Sequence, residues 1–204
     1  MELPVTAVYD ANILYPAPLR DLFLRLGQVG LVRPRWTEMI HDEWIRNLRR
    51  DNPQLSPERL ARTRSLMNEA LRDCLVTGYE ELIDCLTLPD PDDRHVLAAA
   101  IRAGAELIVT YNLTDFPAET LARYDIKAQH PDDFLVSLLD VAPDAVCAAV
   151  KRQRQSLRNP PKTAEELLAT FQSQGLTIFV HCMESCQVAW SRIFRGFRGG
   201  VGAR

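Results

Sequence analysis

The 204-residue chain lacks most of the features that would direct its interpretation elsewhere. It has no apolar run near the roughly 20 residues a membrane helix needs, so no spanning segment is expected. Its five cysteines are odd in number and form no CxxC pair, which excludes a disulfide framework and fits a reducing compartment. The N-terminus, with Glu2 and Pro4, shows no basic-then-apolar leader, and a cytoplasmic location is expected. A net charge of −3 carries no basic excess of the kind that advertises a nucleic-acid binder. Distribution still matters, because an acid-lined pocket can sit in a basic surround. His181-Cys182-x3-Cys186 offers three ligands at a spacing unsuited to zinc, so these thiols are expected to be small buried side chains. No Ser-His-Asp or Cys-His pattern is found, and His41, His95 and His130 have no partner visible in the sequence. There is no internal repeat.

What is present centres on residues 88–116. Asp90 suits a helix N-cap and Pro91 the first helical position, where the missing N–H costs nothing. Val96, Leu97, Ala100 and Ile101 recur at helical spacing, with Gly104 as the stop. Leu107-Ile108-Val109 is short and wholly apolar, as a strand covered on both faces should be. The polar run Thr110–Asp115 follows at once. In open α/β sheets the loops beyond the carboxyl ends of the strands form the ligand crevice, so these acids and polar groups mark a site.

Around this stretch the pattern predicts a first strand at 5–9, ending in Asp10-Ala11-Asn12. A helix follows through Leu19, Leu22, Phe23 and Leu26, closing near Gly27 or Gly30. A second helix is predicted at 36–48, with Trp36, Met39, Ile40 and Trp44 inward, and a third from Ser56 to about Asp73. A brief strand is expected at 82–86 and another at 126–129. His130 through Asp133 opens a helix carrying Phe134, Leu135, Leu138 and Leu139. Alternating strands and helices predict an α/β fold with a central, mainly parallel sheet flanked by helices. Helices at 143–157, 163–174 and 176–194 predict a C-terminal helical extension. The expected division is a main domain at 1–140, the extension at 141–194 and a disordered tail at 195–204.

Acids fall at four positions at element ends or on a helix face: Asp10, Glu43, the Asp90/Asp92/Asp93 group and Asp115. Two carboxylates about 4 Å apart repel by about 4 kcal/mol at an effective dielectric of roughly 20, so four together require a proton or a cation. Oxygen donors without a His or Cys set favour Mg2+ or Mn2+ over Zn2+. Taken singly, each acid has an ordinary role: a helix cap, a solvated helix position, or an Asx-turn between Asp10 and Asn12. Their order along the chain is what sets them apart. Arginine outnumbers lysine, and Arg46, Arg49 and Arg50 lie one and two turns beyond Glu43, placed to hold a phosphate backbone or to form a solvated helix face with salt bridges. Trp36 and Trp44 could stack on bases, but aromatic residues at helical spacing are more often core.

The motifs Val8-Tyr9-Asp10-Ala11-Asn12, Glu43-Trp44-Ile45-Arg46-Asn47-Leu48, Asp90-Pro91-Asp92-Asp93-Arg94-His95-Val96-Leu97 and Val109-Thr110-Tyr111-Asn112-Leu113-Thr114-Asp115-Phe116 resemble those of the PIN domain. The resemblance spans roughly residues 5–140 and is most similar to the bacterial VapC-type toxins. It implies a PIN-like three-layer fold and a metal-dependent endoribonuclease that leaves a 5′-phosphate and a 3′-hydroxyl. By the same resemblance Asp10, Glu43, Asp93 and Asp115 hold Mg2+ (or Mn2+), with Asn12, Asp90, Thr110 and Asn112 in support. Asp93 is preferred to Asp92 because it directly precedes Arg94-His95-Val96-Leu97. A cognate antitoxin, an RNA substrate and a homodimer are implied as partners. The alternative is a PIN-like RNA-binding or regulatory module with degraded catalysis. A haloacid-dehalogenase phosphatase is disfavoured because Asn12 stands where Asp-x-Asp chemistry needs its second acid.

Overall fold

Val5–Tyr9 is apolar apart from Thr6 and is buried along its whole length, and it forms the inner strand β1 on which the sheet is built. The computed structural model of the chain describes residues 2–185. Three further strands, β2 (Val32–Arg35), β3 (Leu107–Val109) and β4 (Lys127–Gln129), join β1 in the order β2-β1-β3-β4, all parallel. Val5 is in register with Val32, Tyr9 with Val109, and Val109 with Gln129. The chain leaves β1 towards β2 on one side and leaves β3 towards β4 on the other. The loops after β1 and β3 therefore diverge and open a crevice at their carboxyl ends.

Eleven helices are found among the described residues: α1 (Ala11–Leu14), α2 (Ala17–Gln28), α3 (Glu38–Asp51), α4 (Pro57–Ala70), α5 (Glu80–Ile83), α6 (Arg94–Ala103), α7 (Ala118–Leu121), α8 (Pro131–Val141), α9 (Pro143–Ser156), α10 (Ala164–Ser173) and α11 (Thr177–Ser185). Helix α6 lies against β1, β2 and β3, with His95 through Ala100 all buried. Full burial of side chains such as Val96 and Leu97 contributes about 1.5–3 kcal/mol each. Gly104 ends α6 in the left-handed conformation, φ 57°, which the sharp turn into β3 requires. Together these elements form the expected α/β three-layer arrangement.

Helix α3 starts one residue after Thr37, whose hydroxyl accepts from Ile40 N at 3.1 Å. It is tied to α4 by a buried chain of hydrogen bonds. Trp44 Nε1 donates to His41 Nδ1 at 2.9 Å, so the remaining proton of a neutral His41 is on Nε2. That nitrogen lies 3.0 Å from Asn68 Oδ1, which also accepts from Trp36 Nε1 at 2.8 Å. Both indoles are fully buried, so Trp36 and Trp44 are core and not base-stacking platforms.

The last helices pack on the sheet domain through α2 against α9 and α8 against α11. Asp132, in the first turn of α8 and 4 % exposed, accepts from Ile178 N and Phe179 N, each at 2.8 Å. It thereby satisfies two otherwise orphaned donors at the start of α11.

Several expectations are corrected. Residues 82–86 are not a strand: Glu80–Ile83 is a short helix, and the strand-like pairing nearby is a single bridge between Trp36 and Leu75. The strand β2 went unforeseen because Arg33, Pro34 and Arg35 break the apolar pattern. As an edge strand it tolerates the proline's missing donor. Met39 points outward, 42 % exposed, because α3 turns its buried face through Ile40, His41 and Trp44 instead. The third helix stops at Ala70, short of Asp73. The predicted helix at 176–194 is seen as Thr177–Ser185; its remainder and the tail at 195–204 lie outside the described residues.

Candidate active site

Asp10 is delivered to the crevice by the end of β1 and caps α1. It is 3 % exposed and held through both oxygens: Oδ1 accepts from Ala11 N at 2.6 Å, and Oδ2 accepts from both Asn12 Nδ2 and Thr110 Oγ1 at 2.6 Å. Thr110, directly after β3, also accepts through Oγ1 from Asn12 Nδ2 and from Asn112 N, each at 3.0 Å. Asn12 Oδ1 in turn accepts from Tyr111 N at 3.3 Å. The expected supporting residues Asn12, Thr110 and Asn112 thus form one hydrogen-bonded brace across the β1–β3 junction. It fixes the orientation of the Asp10 carboxylate.

Asp93 comes to the same place from the other side. Asp90 Oδ1 accepts from Asp92 N at 2.8 Å and caps a short 3-10 turn, Pro91–Asp93, which runs straight into α6. Asp93 ends that turn half-buried with no capping bond of its own. Glu43 approaches from the middle of α3, where its Oε2 lies 3.5 Å from Nε2 of the buried His95. Asp115 closes a 3-10 turn, Leu113–Asp115, after β3.

Two adjoining hollows join these elements. A cavity of about 570 Å³ is lined by Glu43, Arg46, Asp90, Asp92, Asp93 and His95, among others. A second, of about 340 Å³, has Asp10, Asn12, Glu43, Arg50, Asp93 and Asn112 in its wall. Glu43, Asn47, Asp93 and Asn112 are common to both. Burial, opposed by the Thr110 hydrogen bond and reinforced by Glu43, pushes Asp10 up to about 6. Burial and the charges of Asp10, Asp90, Asp115 and Glu43 push Asp93 up to about 7. Both shifts favour a protonated carboxyl at Asp10 and Asp93 over the fully ionised pair.

Asp115 is near enough to raise the Asp93 pKa, but it lines neither hollow. Arg46, Arg49 and Arg50 are exposed on α3 and share a further hollow of about 520 Å³ with Asp42, Ile45 and Pro53. Arg50 Nε also pairs with Asp51 at 3.1 Å.

The donor set suits a hard divalent cation: it is carboxylate and amide oxygen, with His95 the one imidazole among the residues lining the two hollows. Among the described residues, no three His, Cys, Asp or Glu side chains already surround one point as a closed cage. The fit therefore rests on donor chemistry and on the charge crowded around Asp93.

Residues 6–114 match the PIN domain family, just over half of the chain. The chain belongs to the PIN-domain family. Residues 131–185 match a second family, the VapC50 C-terminal domain, which takes in α8 to α11 beyond the PIN domain. The PIN chain is also similar to "Putative ribonuclease VapC50" of Mycobacterium tuberculosis (strain ATCC 25618 / H37Rv). The two are 46 % identical over 91 residues, 45 % of this chain and 53 % of that protein. The chain thus spans about half the length of the curated relative it matches. No solved structure matches it.

Sequence reasoning missed His95, which it left without a partner although Glu43 faces it. The signal was a histidine inside the otherwise apolar inner face of a short helix, where a buried imidazole needs company. His41 and His130 likewise have partners: His41 in the Trp–Asn network, and His130 through Nδ1, which accepts from Asp132 N at 3.2 Å.

Proposed function

We propose that this PIN-domain protein is a Mg2+-dependent (or Mn2+-dependent) endoribonuclease and the toxin of a VapBC-like toxin–antitoxin pair. The observation that carries the reading is the meeting of Asp10, Glu43 and Asp93, from three separate elements, in the wall of one cavity, with Asp93 raised to about 7. In this reading Asp10, Glu43 and Asp93 hold the cation, with Asp115 as the further acid whose charge already reaches Asp93. The cation supplies an activated water and charge neutralisation at the phosphodiester.

The protein's own groups supply the rest. Thr110 and Asn12 keep Asp10 oriented, and His95 sets the position of Glu43. Arg46, Arg49 and Arg50 extend the cleft along α3 as a track for RNA phosphates, contacts that position a strand without reading its sequence. Asn112, exposed at the rim, is placed to meet a phosphate or a ligand water. Partners follow from the family reading: a cognate antitoxin covering the acid crevice, and a second copy forming a homodimer. Its site of action in this reading is the cytoplasm, where its RNA substrates are. Among the described residues no helix is long and apolar enough to cross a membrane.

The test is cleavage of structured RNA by the purified chain with Mg2+ and with EDTA, for wild type, Asp10→Asn and Asp93→Asn. Metal-dependent cleavage lost in both variants supports the reading. Cleavage that persists in both, or none by wild type with any divalent ion, removes it.

A further inference from the structure

The brace around Asp10 does not end at the PIN domain. Tyr111, whose backbone N–H donates to Asn12 Oδ1, sends its side chain the other way. Its hydroxyl donates to the carbonyl oxygen of Gln174 at 2.5 Å, in the turn between α10 and α11. Gly175 of that turn is in the left-handed region, φ 84°, which the turn requires, and it lies beside the Tyr111 ring, where even a Cβ would make only ordinary contact with Cε1 at 3.6 Å. The other side of the ring meets His130 edge-on, centroids 4.9 Å apart. His130 also caps α8, whose Asp132 holds the first N–H groups of α11. A continuous path of hydrogen bonds and one residue's backbone thus runs from the α10–α11 turn to Asp10. It passes from Gln174 O through the Tyr111 hydroxyl and N–H to Asn12, and from Asn12 Nδ2 to Asp10 Oδ2. The path crosses from the segment matching the PIN family to the segment matching the VapC50 C-terminal family.

We propose that Tyr111 is a positioning residue, through which the C-terminal helices hold the loop after β3 and, by way of Asn12, the Asp10 carboxylate in its metal-binding orientation. The extension is then a working part of the site. The inference rests on the metal-binding reading above and deepens it. A phenol hydroxyl is well suited to this task, because it ties a loop to a main-chain carbonyl that no substitution at Gln174 removes.

The experiment uses the full chain and the variant Tyr111→Phe, which keeps the ring and deletes one hydroxyl. Four measurements are compared with wild type: melting temperature, Mn2+ affinity by calorimetry, kcat and KM on RNA, and amide hydrogen exchange without metal. The expected result is a melting temperature close to wild type, Mn2+ affinity weaker by about 10-fold, and kcat lowered with KM little changed. Exchange should be faster in residues 10–15 and 110–116. Asn12→Ala should give a similar affinity loss, and the double variant less than the product of the two, since both cut one path. Wild-type affinity, kcat and exchange in Tyr111→Phe would overturn the proposal. A large fall in melting temperature that accounted for the affinity loss would do so too, by making Tyr111 ordinary packing. If wild type neither bound Mn2+ nor cleaved RNA, the nuclease reading would fail by itself. The exchange comparison would then decide the coupling alone, faster exchange in residues 10–15 supporting it and unchanged exchange overturning it.

Discussion

Thr110 Oγ1 donates to Asp10 Oδ2 at 2.6 Å, joining residues a hundred positions apart across the one junction where neighbouring strands send their loops in opposite directions. The bond ties the most buried acid of the crevice to the polar loop after β3. Replacing Thr110 by valine keeps the shape and removes the donor, leaving part of a buried carboxylate unsatisfied. The expected cost is about 1–3 kcal/mol in urea unfolding near neutral pH, together with weaker Mn2+ binding. Unchanged stability and affinity would mean that Asn12 and the Ala11 N–H hold Asp10 without help.

Without metal, the crowded carboxylates should make stability depend on pH in a particular direction. Asp10 and Asp93 titrate at about 6 and about 7 in the folded chain, above their ordinary value of 3.8. A raised acid pKa means that the folded state binds protons more tightly than the unfolded state. Their contribution is therefore complete below about pH 4 and is lost as pH rises through 6 and 7. In EDTA, wild type should lose melting temperature between pH 5 and pH 8 relative to Asp93→Asn, and Mg2+ should restore it at pH 8. A difference between the two proteins that is independent of pH would contradict the crowding of charge around Asp93.

The arginines of α3 make a separable prediction. Arg46→Ala and Arg49→Ala should each raise KM for RNA several-fold with kcat nearly unchanged. For single-stranded substrate, the slope of log affinity against log salt should fall by about 0.7 for each phosphate that is no longer neutralised. An effect confined to kcat would instead place these residues at the reacting phosphate.

The α3–α4 tie is structural and should behave so. His41→Leu leaves the buried Trp44 indole N–H without its acceptor and is expected to cost about 1–3 kcal/mol in chemical unfolding, without changing Mn2+ affinity. A variant as stable as wild type would show that water replaces the imidazole.

Much of this architecture was legible in the chain. Leu107-Ile108-Val109 between Gly104 and Thr110 reads as a covered strand, and Asp90-Pro91 before an apolar helical run as a helix start, which the structure realises as a 3-10 turn leading into α6. The acids were legible through their order in known motifs, because spacing alone cannot say that Glu43 on α3 faces His95 on α6. Two kinds of information were out of reach. The proline-bearing strand β2 contradicts its own local propensity and exists because β1 offers it a free edge. Tyr111 finds its acceptor in a backbone carbonyl 63 residues away, and backbone carbonyls leave no trace in a sequence.

The central claim is that Asp10, Glu43 and Asp93 form one cation-dependent centre. Mn2+ titration of the purified chain by calorimetry at pH 7.5 or so tests it most directly, comparing wild type with Asp10→Asn and Asp93→Asn. The account predicts saturable binding to wild type, accompanied by proton release because Asp93 is partly protonated beforehand, and binding at least about 10-fold weaker in each variant. Equal binding in all three proteins, or none in wild type, would contradict it.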